Sequence, residues 1–337
     1  MLTFAEALQD SNRYPKRHLL LGNGFSIACR PNIFAYGKLF EQADFSKVSP
    51  TAKYGFTALG TQDFERVIKA LRDASAIAFA YGNPTVATTW RDDADKLREL
   101  LVETIAASQP AWPGELTEDE YRSCKAFLAN FADAYTLNYD LLLYWVQMHV
   151  EEGEEPSSDD GFRTPQDDFV SSYVVWEPAQ SHEQNTWFLH GALHVFDSGV
   201  EVQKFTWKNT RVRLIDQIRD ALNRGLFPLF VSEGTSKEKY ERIRHNDYLA
   251  KAYRSFSEIQ GALFIFGHSL ADNDLHYLGR IERGKISHVY VGLYGDASTD
   301  ANRQIIRRAE QLAAGRRGKR LLKVSFFDAA SAKVWGR

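Results

Sequence analysis

The chain has 337 residues and a formal net charge of −3, and 44 % of it is apolar, with 22 Phe, 15 Tyr and 7 Trp. That length and core content suit one large α/β domain with insertions, and the charge supplies no global field for nucleic acid or a membrane surface. Two cysteines, Cys29 and Cys124, exclude a disulfide framework and a four-cysteine zinc site, and no apolar run is long enough to span a bilayer. Residues Met1 to Asp10 lack the basic-then-apolar order of a secretion signal, so a cytoplasmic protein is expected.

In chain order, short apolar or aromatic runs at 18–22, 134–138, 186–190, 262–267, 287–293 and 322–327 predict strands buried on both faces of a sheet. Between the first two, Phe64, Val67, Ile68 and Leu71 keep helical spacing, as do Leu97, Leu100, Leu101 and Ile105. Thr117 and Glu120 have capping-box spacing ahead of a helix over 121–131. Residues 31–130 therefore read as a helical insertion, too long for a simple crossover. Residues 151–161 predict an exposed acidic loop, which opens a loop and β insertion over 151–210. Val212, Leu214, Ile215, Ile218 and Leu222 mark a further helix ended at Gly225. A turn over 232–237 is read as a helix start capped by Ser236, or as an anion-binding turn or a lid, before the helical rhythm of 240–256. Ile305, Ile306, Ala309 and Leu312 give the last helix, and the basic run 316–320 reads as a solvated turn. The alternation predicts a Rossmann-like, doubly wound, mainly parallel sheet with a helical insertion, in one unit over 1–337.

Four of the strand ends carry polar groups, and in open α/β sheets ligands bind at the carboxyl ends of strands. Gly22-Asn23-Gly24-Phe25-Ser26 is either a structural turn or a backbone that approaches a diphosphate, although a third glycine is missing. Asn138 and Asp140 follow Thr136; the amide and carboxylate suit a ribose and a water, or Asp140 caps the next helix. His190, before Gly191, is a satisfied core residue or a base titrating near neutrality. At such an edge Asn138 and His190 are expected to face solvent. Gly267 and Ser269 end the fourth strand. His268 and His276 lack metal-ligand spacing and His194 stands alone, so no metal is expected.

Taken together these islands resemble the sirtuin family: Gly22/Gly24/Ser26, Thr136/Asn138/Asp140, His190/Gly191 and Gly267/Ser269/Leu270, in the family's order over about residues 18–295. Asp63-Phe64-Glu65 and Asp272-x-Asp274 look like its bacterial sirtuin-like branch. The four zinc-binding cysteines of the family's deacetylases are missing, so lysine deacetylation is not expected. The resemblance implies an NAD+ glycohydrolase of the anti-phage, abortive-infection kind, with NAD+ as substrate. It implies that Asn138 holds the nicotinamide ribose and the attacking water, that Asp140 holds ribose hydroxyls or nicotinamide, and that His190 is the base. Gly22, Asn23, Gly24, Phe25 and Ser26 would surround the diphosphate, with Thr136 beside them and Gly267 and Ser269 on the adenosine side. ADP-ribosyl transfer and a non-catalytic NAD- or ADP-ribose-sensing subunit are the alternatives. The chain carries no recognisable sensor, so a homo-oligomer or a separately encoded sensor protein is expected to dock on the inserted helices. Membrane and direct nucleic-acid binding are not expected.

Overall fold

The computed structural model describes residues 1–34, 39–62, 64–110, 112–150, 158–165, 171, 173–180, 183–205, 213–231, 235–317 and 321–336. In chain order its strands are β1 (Arg17–Leu21), β2 (Asp133–Thr136), β3 (Phe162–Arg163), β4 (Tyr173–Trp176), β5 (Thr186–Phe188) and β6 (Gly191–Asp197). They continue with β7 (Val202–Phe205), β8 (Pro228–Phe230), β9 (Gln260–Phe266), β10 (Lys285–Leu293) and β11 (Lys323–Asp328).

Six of them form one sheet in the order β11-β10-β9-β1-β2-β5, and every pairing in it is parallel. These are the six predicted strands. Ranked along the chain they lie as 3-2-1-4-5-6, the Rossmann-like order, whose direction reverses between β1 and β9. Both faces of the sheet are covered. On one, Phe264 of β9 meets Phe4 and Phe131, from the Phe4–Ser11 helix and the segment after Glu118–Leu128. On the other, Tyr135 of β2 packs edge-on against Phe256 of the Asp247–Glu258 helix. Leu19, Leu20, Leu21, Leu263 and Ile265 are fully buried, which explains runs that do not alternate apolar with polar. Each such side chain contributes roughly 1.5–3 kcal/mol by leaving water.

Between β1 and β2 the described chain is helical. Ser49 caps the Pro50–Leu59 helix, Pro50 suits its first turn, and Gly60 at φ 59° ends it. The Phe64–Ala80 and Pro84–Ala107 helices then form a hairpin, and Phe40, Phe45, Phe56 and Phe64 make a ring cluster at its base. Thr117 and Glu120 make the predicted capping box.

A second, antiparallel sheet has the order β3-β4-β7-β6-β8. Its last strand, β8, lies beyond the expected 151–210 insertion, while β5, within those bounds, joins the parallel sheet as its run predicts. The strands of the antiparallel sheet are short and interleaved with another sheet, so periodicity alone carries little of it. The acidic stretch also differs from the expected exposed loop. Residues 151–157 lie outside the described residues, but Asp159 and Asp160 are half-buried and pair with Arg163 and Lys204. The helix expected to be capped by Ser236 is capped by Thr235, in a box with Glu238. The rhythm over 240–256 is broken at Asn246, which caps a second helix. Asp63, Val212, 232–234 and 318–320 lie outside the described residues. Among the described residues no helix is long and apolar enough to cross a membrane.

Candidate functional site

β1 ends in Gly22, and the glycine turn packs directly on the turn that ends β9. Gly22 N donates to Phe266 O at 2.9 Å and Gly24 N to Gly267 O at 2.8 Å. A Cβ on Gly24 would stand 2.5 Å from Gly267 Cα, and one on Gly267, at φ +70°, would stand 2.6 Å from Phe25 N. These glycines let two backbones touch at the point where the strand order reverses. The amides of Phe25, Ser26 and Ile27 also donate to backbone carbonyls within the turn. Asn23 keeps the turn's one amide without a partner among the described residues. The turn thus offers close approach more than free donors.

The end of β2 is tied to that turn. Asn138 Nδ2 donates to Gly22 O at 3.1 Å and to Ser26 Oγ at 3.0 Å, and Ser26 Oγ donates to Asp140 Oδ2. Asp140 Oδ1 accepts from Leu142 N at 3.0 Å, at the start of the Leu142–Met148 helix, whose cap position is Leu141. Burial raises the Asp140 carboxyl above its ordinary range, against the hydrogen bonds from Ser26 and Leu142. Its two oxygens thus tie the Ser26 side chain to the start of the Leu142–Met148 helix. Thr136 is buried, and its Oγ1 accepts from Asn138 N at 3.0 Å.

His190 stands between β5 and β6, where the chain leaves the parallel sheet for the antiparallel one. Gly191 makes that step at φ +72°, and a Cβ there would stand 1.9 Å from Leu229 O. The solvent-facing position expected for His190 is not what the fold gives: it is 4 % exposed, because Tyr277 and His276 pack over its ring. Its Nε2 lies 3.2 Å from His276 Nε2 and 3.8 Å from Asp274 Oδ1. Asp274 Oδ1 accepts from Lys239 Nζ at 3.0 Å, and Oδ2 lies 3.0 Å from His268 Nε2. His268 Nδ1 accepts from Leu270 N at 3.0 Å, which puts its ring proton on Nε2, facing the carboxylate. Leu270 supports this from a strained φ of 53°. Burial opposes ionisation of Asp274, but the His268 hydrogen bond and the neighbouring positive charge hold it well below the usual carboxylate range. Burial pushes His190 well below the ordinary imidazole value, against the pull of Asp274, and brings His276 down to about 4.

These walls enclose a cavity of about 600 Å³ at the crevice between β1 and β9. Of the residues singled out in the sequence, Gly22, Asn23, Gly24, Asn138, Asp140, His190, Gly267 and Ser269 line it. Phe25, Ser26 and Thr136 do not. Phe25 is core, with its ring 4.9 Å from that of Trp335, and Ser26 and Thr136 hold the turn and the β2 end behind the wall. Sequence reasoning missed Lys239, Asp274 and His268 as lining residues. Asp272-x-Asp274 was visible as a motif, but nothing along the chain brings Lys239 to it.

His190, Asp274 and His276 place two ring nitrogens and a carboxylate oxygen within 4.8 Å of one another. Asp274 and His276 share one segment, but spacing along the chain could not reveal the group, since His190 comes from the distant β5–β6 junction. The donor types suit a zinc-like ion. Lys239 already holds the carboxylate oxygen such an ion would need, so the ammonium fills the cationic role. His194 is fully buried in β6, stacked on Tyr144, and away from the cavity.

The family model described as a domain of unknown function (DUF4917) matches residues 19–335, from β1 to the tryptophan that packs on Phe25. No curated protein matches the chain. With nearly its whole length covered by that model, the chain belongs to the DUF4917 family.

Proposed function

We propose that this protein is a cytoplasmic NAD+ glycohydrolase, cleaving NAD+ with water to nicotinamide, ADP-ribose and a proton, and serving as an anti-phage effector. The observation that carries the reading is the cavity at the strand-order reversal, entered by the glycine turn, Asn138 and His190 from neighbouring strand ends. The resemblance to the bacterial sirtuin-like branch points the same way. In the reaction nicotinamide leaves with the bonding pair, the ribose carbon gains cationic character, and water attacks it. Asn138 keeps Oδ1 free among the described residues, as an acceptor for the water or a ribose hydroxyl. Burial keeps the His190 ring unprotonated at neutral pH, as a base must be. Asp140, with both oxygens engaged, acts by holding the Gly22–Ser26 turn in place rather than by touching substrate.

Control is assigned to a second copy or a separately encoded sensor on the inserted helices. Phe79 and Tyr81, 69 % and 84 % exposed at the tip of the helical hairpin, support that placement.

A second reading, an NAD- or ADP-ribose-sensing subunit without turnover, is favoured by the burial of His190 and the internally bonded amides of the turn. Incubation of purified protein with NAD+, alone and with a candidate partner, separates the readings by chromatography. Equal amounts of nicotinamide and ADP-ribose are expected. Binding with neither product would leave the sensor, and ADP-ribose bound covalently to protein or nucleic acid would favour transfer.

A further inference from the structure

NAD+ hydrolysis yields a proton, and a base enclosed with its substrate needs a route by which that proton leaves. His190 lines the cavity that NAD+ would fill, so the cavity mouth is closed to it during the reaction. On its other side, His190 Nε2 lies 3.2 Å from His276 Nε2. His276 Nδ1 lies 3.0 Å from Ser236 Oγ, which also accepts from the His276 amide at 2.8 Å. Ser236 does not line the NAD+ cavity. It lines a second groove, of about 900 Å³, beside the Ser236–His245 helix.

We propose that His276 and Ser236 form a proton exit from His190 to this second groove, an inference that rests on the glycohydrolase reading. The bond between the two Nε2 atoms requires a proton on one and a lone pair on the other. With the proton on His190, the attacking water gives its proton to His190 Nδ1, which has no partner among the described residues. The His190 Nε2 proton passes to His276 Nε2. His276 Nδ1–H passes to Ser236 Oγ, and the serine hydroxyl proton leaves to solvent. Each N–H or O–H bond formed is matched by one broken, and one proton is released. Lys239, Asp274 and His268 lie beside this path, the Tyr277 ring packs against both histidines, and the Tyr253 hydroxyl donates to the His276 carbonyl. Asp274, clamped between Lys239 and His268, faces His190 Nε2 from 3.8 Å and stabilises the transient imidazolium as a positioning residue. Burial keeps the His276 ring neutral at rest, so it can accept the proton.

The test is steady-state NAD+ hydrolysis by the full-length protein, with its activating partner if turnover needs one. His276→Gln retains a hydrogen-bonding group near the Nε2 position but cannot pass a proton on. Its kcat is expected to fall about 100-fold, the lower end for loss of a proton-transfer group, with KM unchanged. His276→Ala should regain rate in proportion to added imidazole, which a merely structural role would not allow. Wild-type kcat in a folded His276→Gln protein would overturn the relay, as would a loss in His276→Ala that imidazole does not restore. Should neither His276 variant fold, Ser236→Ala carries the test, because Thr235 still caps the helix. A kcat about tenfold lower and dependent on buffer concentration supports the exit, and an unchanged kcat overturns it. Wild-type protein without turnover would overturn the glycohydrolase reading and the relay together. Turnover that these variants leave intact overturns the relay alone.

Discussion

On the wall built by β1, β2 and β9, the Gly22–Ser26 turn, Asn138, Asp140 and Gly267 use nearly all their hydrogen bonds on one another. On the wall built around the β5–β6 junction, His190, Lys239, His268, Asp274 and His276 hold buried charge and proton-binding nitrogens against each other. The first wall fixes a shape, and the second holds chemistry that depends on charge balance. Substitutions on the first should therefore act through fit and stability, and those on the second through charge, pH and rate.

The largest effect is expected from breaking the buried ion pair. Asp274→Ala leaves the Lys239 ammonium, itself 3 % exposed, without its carboxylate. Unfolding by denaturant should show a loss of about 3–5 kcal/mol, the range for removing one partner of a buried pair. The Lys239→Met/Asp274→Ala double variant should lose less than the two single losses added, since no lone charge remains. Strict additivity would mean that the two walls do not differ as described.

The shape-fixing wall should respond more mildly. Gly24→Ala drives a Cβ into Gly267 Cα, a backbone atom that cannot swing aside, and overpacking of this kind costs about 1–3 kcal/mol. A stable Gly24→Ala protein with an unaltered cavity would show that the glycines are not needed for contact between the turns.

How much of each wall the sequence reveals follows the same division. The six parallel strands and the glycine turn were legible because fully buried strands leave unbroken apolar runs, and four of those runs end in Gly, Asn or His. The small sheet was not, because β3 has two residues and β8 three, and neither shows a period. Thr136, Ser26 and Phe25 were legible as part of a pattern, but their direction was not. Thr136 ends a strand, where alternate residues face opposite sides, and Phe25 and Ser26 begin a helix; the bonds from Asn138 N to Thr136 and from Ser26 to Asp140, and the packing of the Phe25 ring on Trp335, settle which way these point. The charged cluster was least legible: Lys239 lies on one helix, His268 after β9, and Asp274 in the 3-10 turn before another helix. Only the packing of the Ser236–His245 helix against that turn brings them together.

A further effect expected is a pH dependence of stability. The folded state holds His190 and His276 below the free imidazole value of about 6.5, so beneath that pH the unfolded chain binds more protons. Their contribution is complete above 6.5 and is lost as the pH falls toward 4, the value to which burial brings His276. His194 and His288, also lowered by burial, add to the fall. Asp274, held low, titrates beneath this window, and Asp140, raised by burial, works in the opposite sense. Tm should drop between pH 6.5 and 4, and His276→Gln should make the drop shallower. A Tm that is flat across that range would contradict the burial of these rings.

The most direct test of the central claim compares NAD+ hydrolysis by the wild-type protein with that by His190→Gln, after circular dichroism shows that the variant is folded. If the cavity is an NAD+ site with His190 as its base, nicotinamide release should fall by about 100- to 10,000-fold. The rate at which the folded variant releases nicotinamide decides the matter, and a wild-type rate would contradict the account.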